Sequence, residues 1–250
     1  DTSIARLSSG KRITRAHDDA AGSAIAGRME AQIRGLTMGV RHAKDGQSLV
    51  DTQEGALQEV AGIVQRMREL AVQAGSGVAT NADKDYLNIE ITALVAELSA
   101  ISANTKFNDV TAMSTAYSFY TDIDVAGTAI TVAAGTMSEQ ALALTLKNVS
   151  IGGSSTVSLT SVLTTIDAAM ATVANRRATL GALSNRFDHV VDNLTNVIAN
   201  TEGAKSRVLD ADFAVETTQL TRNTILQQAA TSMVAQANAS KNSILALIQG

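Results

Sequence analysis

Residues 57–74 read LQEVAGIVQRMRELAVQA, and within them Leu57, Val60, Val64, Met67, Ala71 and Ala74 fall at strictly alternating spacings of three and four. An average step of 3.5 residues keeps one apolar line facing a partner helix, so this stretch reads as the seam of a coiled coil. The same alternation returns at Leu180, Leu183, Phe187, Val190, Leu194 and Val197. Other helical stripes accompany these seams. Ile25, Met29, Ile33, Leu36, Val40 and Ala43 recur at the helical period, and a third helix is expected over 82–104 with Leu87, Ile91, Leu94, Leu98 and Ile101 inward. Gly75-Ser76-Gly77 closes the second stripe. The first helix is expected to start near Asp18 or Asp19, after a turn-like segment LSSGKRITRAHDDAAG at 7–22, because aspartate caps helix N-termini. The chain contains no proline, so nothing interrupts long helices.

These seams need each other. The helix beginning near Ser161 runs to about Ala199 or beyond, far longer than the usual ~11–12 residues, and such a helix requires a long partner. The expected fold is therefore mainly α: a long antiparallel helical rod, coiled-coil-like, with a small β-hairpin insertion at its far end. The insertion is residues 113–160, which hold only four charged residues, Asp122, Asp124, Glu139 and Lys147. There Ile123-Asp124-Val125 and Ala129-Ile130-Thr131-Val132 flank Gly127, a hairpin signal. Leu142, Leu144, Leu146, Val149 and Ile151 precede Gly152-Gly153, after which Val157 and Leu159 resume the alternation. One or two small hairpins resting on the helices are expected, since isolated strand pairs are marginal. The parts are then an N-terminal helical arm at 1–112, the insertion at 113–160, a C-terminal arm at 161–209 and a terminal segment at 210–250. In that last segment Lys241 is the one charge from Asn223 to Gly250, while Leu226, Met233, Val234, Ile244, Leu245, Leu247 and Ile248 are apolar. Such a helix is too polar for lipid and too apolar for free exposure, so it calls for a protein partner.

Composition excludes several functions. With 20 Lys and Arg against 24 Asp and Glu, the 250-residue chain has a net charge of −4, which gives no bulk attraction to nucleic acid. Cysteine is absent, removing disulfides, thiolate metal sites and thiol nucleophiles. Aromatics at 3% with no tryptophan argue against a stacking platform. No apolar run of 18 residues predicts a membrane span, and no signal-peptide core is visible at the N-terminus. His17, His42 and His189 stand apart, and the motifs of zinc peptidases, serine hydrolases and phosphate-binding loops are missing, so neither an enzyme nor a cofactor is expected. The one basic cluster is Arg6, Lys11, Arg12 and Arg15. It reads as a solvated or ion-paired face, or as a contact with acidic groups on a partner.

Several segments together resemble the bacterial flagellins. At the N-terminal side these are Arg6-Leu-Ser-Ser-Gly10, Arg12-Ile13, Asp18-Asp-Ala-Ala-Gly22, Ala31-Gln-Ile-Arg-Gly35, Gln53-Glu-Gly-Ala-Leu57, Gln65-Arg-Met-Arg-Glu-Leu-Ala-Val-Gln-Ala74 and Phe107-Asn108. At the C-terminal side they are Leu180-Gly181, Asn185-Arg-Phe187, Asp210-Ala-Asp-Phe213, Ile225-Leu-Gln-Gln-Ala229 and Gln236-Ala-Asn238. The resemblance implies a structural subunit that self-assembles into the flagellar filament for motility. It implies a helical rod with a terminal coiled coil lining the filament channel, and extracellular location reached by export without a cleaved signal peptide. It implies other flagellin copies, a flagellar export chaperone and a filament cap as partners. It also implies recognition by the animal innate receptor TLR5. The residues carried over to the subunit-contact and receptor-like surface are Gln65, Arg66, Arg68, Glu69, Leu70 and Glu90. Compared with the family pattern, most of the helix before Arg6 is missing, so the chain reads as N-terminally truncated. The run Ala239-Ser240-Lys241-Asn242 lacks the proline often found there.

A rival reading is a flagellin-like cell-surface binding module, an adhesin or receptor for acidic polysaccharide, using the insertion and Arg6, Lys11, Arg12 and Arg15. The scarcity of aromatics weighs against a sugar-stacking platform.

Overall fold

A computed structural model of the chain describes residues 2–121, 129–133, 151 and 158–249, with side chains described as far as residue 241. The described residues form five helices: α1 (Thr2–Ser9), α2 (Ala20–Ala74), α3 (Asn81–Asn104), α4 (Leu159–Leu209) and α5 (Phe213–Gln249). Among the described residues four short strands stand between α3 and α4: β1 (Lys106–Phe107), β2 (Val110–Thr111), β3 (Tyr117–Tyr120) and β4 (Ala129–Val132). The mainly α class with small strand pairs is as expected. The contacts divide the chain into a central unit, Gly35–Asn196, and a terminal unit made of Asp1–Arg34 and Val197–Gly250.

Helix ends follow the local chemistry. Asp19 caps α2, its Oδ1 accepting the amide of Gly22 at 2.8 Å. Thr80 and Asp83 form a capping box on α3, with Asp83 N–H donating to Thr80 Oγ1 at 3.3 Å and Thr80 N–H donating to Asp83 Oδ2 at 2.9 Å. The bonds from the Thr80 hydroxyl and amide hold the Asp83 carboxyl below its usual range. The sequence reading of 7–22 as wholly turn-like is corrected at its start. Leu7–Ser9 complete α1, and the irregular part is 10–19.

In the central unit the seams do what their spacing requires. Leu57, Val60, Val64, Met67, Ala71 and Ala74 are all buried, as are Leu180 and Phe187 seven residues apart, with Leu183 and Val190 packed beside them. Ile91 and Leu98 of α3 enter the same core. By length and composition alone α3 passes for a membrane-crossing helix, with a mean hydropathy of 1.2 over its most apolar window. Here it packs on the core through those two residues.

The strands lie along the flank of α2 and α4. Phe119 meets Phe187 edge-on, with ring centroids 5.9 Å apart at 85°. His42 Nδ1 sits 3.0 Å from the Tyr120 carbonyl oxygen. Two glycines permit this approach: a Cβ on Gly39 would stand 2.6 Å from the Thr121 carbonyl oxygen, and one on Gly46 would stand 2.6 Å from Phe187 Cζ. Two expectations change. The reach of the N-terminal helical arm to 112 is cut short, because α3 ends at Asn104 and β1 and β2 follow. Asn108 and Asp109 form their tight turn, both at positive φ, as a two-residue hairpin requires. Ala129–Val132 is a strand as expected, but its partner is Tyr117–Tyr120, in the register Tyr117↔Val132 through Tyr120↔Ala129. Ile123–Val125, the expected partner, lies outside the described residues, as do Gly127, the Leu142–Val149 run and 152–157.

The terminal unit is organised differently. α1 packs on α5, and the loop after α1 pairs with the turn between α4 and α5: Arg12 N–H donates to the Leu209 carbonyl at 2.6 Å and Ala211 N–H to the Gly10 carbonyl at 3.0 Å. Asp212 caps α5, accepting the Ala214 amide at 2.8 Å. Lys205 of α4 reaches Glu30 of α2 at 2.6 Å. Beyond its first turns α5 has no buried side chain among the described residues, and Ile225, Leu226, Met233 and Val234 stand exposed.

Candidate functional site

The stretch 65–74 of α2 separates cleanly into two faces because a helix places residues three and four apart on one side. Met67, Leu70, Ala71 and Ala74 point into the core, while Gln65, Arg66, Arg68, Glu69, Val72 and Gln73 point outward. Leu70 therefore corrects the sequence reading. It is fully buried, three residues after Met67 on the seam, and supports the surface from beneath without belonging to it.

The outward charges are laid out as ties to both neighbouring helices. Arg66 bridges Glu69 at 3.1 Å and Glu90 of α3 at 2.9 Å. The Glu69 bond, then the Glu90 bond, pushes the guanidinium above its usual value. Arg68 turns the other way, its Nε donating to Asp167 Oδ1 of α4 at 2.8 Å. The guanidinium and the two carboxylates on the α2–α3 side are each about half solvated or more, so each pair contributes ~0–1 kcal/mol to stability; their effect is to fix a charge pattern in place. Beside them an open groove of about 800 Å³ runs between α2 and α4, lined by Gln65, Arg68, Glu69, Val72, Gln73, Asp167 and Met170. Thus Gln65, Arg66, Arg68, Glu69 and Glu90 all stand outside the core, Arg66 with Glu69 and Glu90 toward α3 and Arg68 toward α4.

The basic cluster does not form a comparable surface. Arg6 is taken up by Glu216 of α5, at 2.8 Å with the carboxylate nearly buried. That bond, with help from Ser3, holds Glu216 below its usual range. Arg12 Nη2 donates to the Val208 carbonyl at 2.8 Å, in the last turn of α4, where a cation is favoured by the helix dipole. Lys11 pairs its backbone with Asp210, and the Arg15 amide donates to Asp18 Oδ2 at 3.0 Å. Two of the four cations are thus spent on the chain's own C-terminal segment, and the polysaccharide-receptor reading is not favoured.

Sequence reasoning missed two polar positions. Glu216 is one; nothing local marks it as the partner of a residue 210 positions away. Gln53 is the other. It is buried, donates through Nε2 to the Ala112 carbonyl, and accepts from Arg176 Nη2 at 3.2 Å. Arg176 also donates to the Ala133 carbonyl at 2.6 Å, and its burial lowers its pKa. This node ties α2, α4 and the loops flanking the strands. Its signal was present: Gln53 stands three residues after Val50 and four before Leu57, a polar residue on the apolar seam.

Comparison with known proteins bears on the whole chain. The family model described as the bacterial flagellin N-terminal helical region matches residues 1–118, and that of the C-terminal helical region matches 163–248. A flagellin of Halalkalibacterium halodurans is 39% identical over 254 residues, covering 98% of this chain and 90% of that protein. The flagellar filament 31.3 kDa core protein of Treponema maltophilum is 33% identical over 258 residues, covering 98% and 90%. Among solved structures, the crystal structure of Bacillus cereus flagellin is similar with a TM-score of 0.54 and 28% identity, over 62% of this chain and 88% of that one.

Proposed function

The chain belongs to the bacterial flagellin family, and from that premise we propose how it works as a subunit of the extracellular flagellar filament. The filament role is a structural one, shared with its relatives. Its helical arms, α1 to α3 and α4, supply the body of the subunit, and 210–250 is the segment that packs against other copies. The observation that carries this reading is α5. It is 37 residues long, yet its apolar Ile225, Leu226, Met233 and Val234 are exposed. An isolated helix with that face exposed gains little from packing, and burial of an apolar side chain is worth ~1.5–3 kcal/mol, so assembly is where those residues become favourable.

The face of Gln65, Arg66, Arg68, Glu69 and Glu90 is the side contact with neighbouring copies. Its support is the rigid charge pattern: Arg66 and Arg68 are held by ties to α3 and α4, so little side-chain freedom is lost on docking. The same face, when a monomer is free, is what an animal TLR5 receptor reads. The export chaperone and the filament cap are further partners, the chain leaves the cell without a cleaved signal, and it carries no enzymatic activity.

The test is seeded assembly followed by electron microscopy and sedimentation. The chain is expected to add to flagellin seeds. Monomers alone in the presence of seeds would overturn the reading. For the receptor part, a reporter cell assay should respond to the monomer and lose the response with Arg66→Ala plus Glu90→Ala; an undiminished response would remove that face from the interaction.

A further inference from the structure

α3 is apolar on two sides. One side, Ile91 and Leu98, is buried in the core. The other carries Ala82, Tyr86, Ile89, Ala93 and Ala96, all exposed, and then half-buried Ala100. Tyr86 is 71% and Ile89 66% exposed. The spacings alternate four and three, which is the same 3.5-residue repeat as the buried seams of α2 and α4. The large residues at one end and alanines at the other suit close approach of another helix.

Charge selects the occupant. α3 holds Asp83, Asp85, Glu90 and Glu97 against the single Lys84. Two α3 faces brought together would therefore repel. Residues 2–45, by contrast, carry eight Lys and Arg against four Asp and Glu, the exposed Asp45 standing next to Lys44. Within the central unit this excess surfaces at Arg41 and Lys44, both exposed beside Met38, which is 43% exposed. Among the described residues, Glu97, Arg41 and Lys44 are in no ion pair.

We infer that the outer stripe of α3 docks on the α2 strip around Met38, Arg41 and Lys44 of a second copy of this chain. This rests on the filament reading and deepens it. Two different surfaces of opposite charge make a heterologous contact, which propagates into an open polymer, whereas a self-complementary contact closes as a dimer. The tyrosine and isoleucine provide the apolar anchor and Glu97 meets the basic strip.

The absence of cysteine makes the test direct. Single cysteines are placed at each position from 89 to 97, and maleimide labelling is compared between monomer and seeded filament. Protection of about tenfold or more at 89, 93 and 96, repeating with the heptad, is expected for a docked helix. Equal rates in monomer and filament at those three positions would overturn the inference and leave the filament reading standing; no filament from the parent chain would overturn both. For the partner strip, Glu97→Lys should slow elongation about tenfold at low salt, and adding Lys44→Glu should restore it. Failure of the double reversal to restore elongation would remove Met38, Arg41 and Lys44 as the counter-surface.

Discussion

The α2 segment at 57–74 and α5 are both long helices with apolar residues at helical spacing, yet they stand in opposite conditions. In the first, every seam residue is buried, closed over by α3 and α4 within the same chain. In the second, Leu226 is 57% exposed and Met233 70%, and among its described side chains the buried one is a carboxylate, Glu216. One helix is stable because its own chain covers it; the other is long enough to be covered only by something else. A filament subunit needs both kinds: a part that its own chain packs and a part whose packing is completed by neighbours.

The comparison breaks most readily in the central unit. Phe187→Ala removes a fully buried ring that meets Phe119 and Gly46, and should cost about 3–5 kcal/mol in denaturant unfolding. An effect below about 1 kcal/mol would mean that the seam is not what holds this unit. Gly39→Ala should cost ~1–3 kcal/mol in the same measurement, because the new methyl meets the backbone carbonyl of Thr121, which cannot rotate away. In α5 the contrast should appear as a small number. Leu226→Ala is expected to change monomer stability by no more than ~0.5 kcal/mol while weakening seeded assembly. A large loss of monomer stability would show that α5 is packed in the monomer after all.

The finest distinction is in pH. Lys205, then Arg34, holds the Glu30 carboxyl at about 2, against an ordinary value of 4.5. A carboxylate with a lowered pKa stabilises the folded state fully above 4.5, and that contribution fades as the pH falls from 4.5 toward about 2. Glu30→Gln should flatten this part of the acid unfolding profile of the terminal unit, read by circular dichroism. The central unit, probed through Phe187 and its neighbours, should keep its own profile.

Much of this was legible beforehand, for a local reason. The two seams, the Asp19 cap, the break at Gly75 and the span of α3 depend on residues within a turn or two of each other. The outward set Gln65, Arg66, Arg68, Glu69 and Glu90 followed from the resemblance, and Leu70 was misplaced because resemblance does not say which side of a helix faces its core. The partner of Ala129–Val132 was misread because the Gly127 turn signal pointed to the nearest run, while Tyr117–Tyr120 wins by setting Phe119 against Phe187.

By itself the sequence determined that the chain is helical, where its helices bury a seam, and that its C-terminal stretch is unusually apolar for an exposed helix. Those are statements of period and composition, and period acts over three or four residues. Tertiary structure alone decided that Arg6 joins Glu216, that Gln53 and Arg176 clasp the loops around the strands, and that α3 keeps a second apolar face in solvent. Each of these depends on which distant groups come within a few ångströms, and a one-dimensional pattern carries no record of that distance.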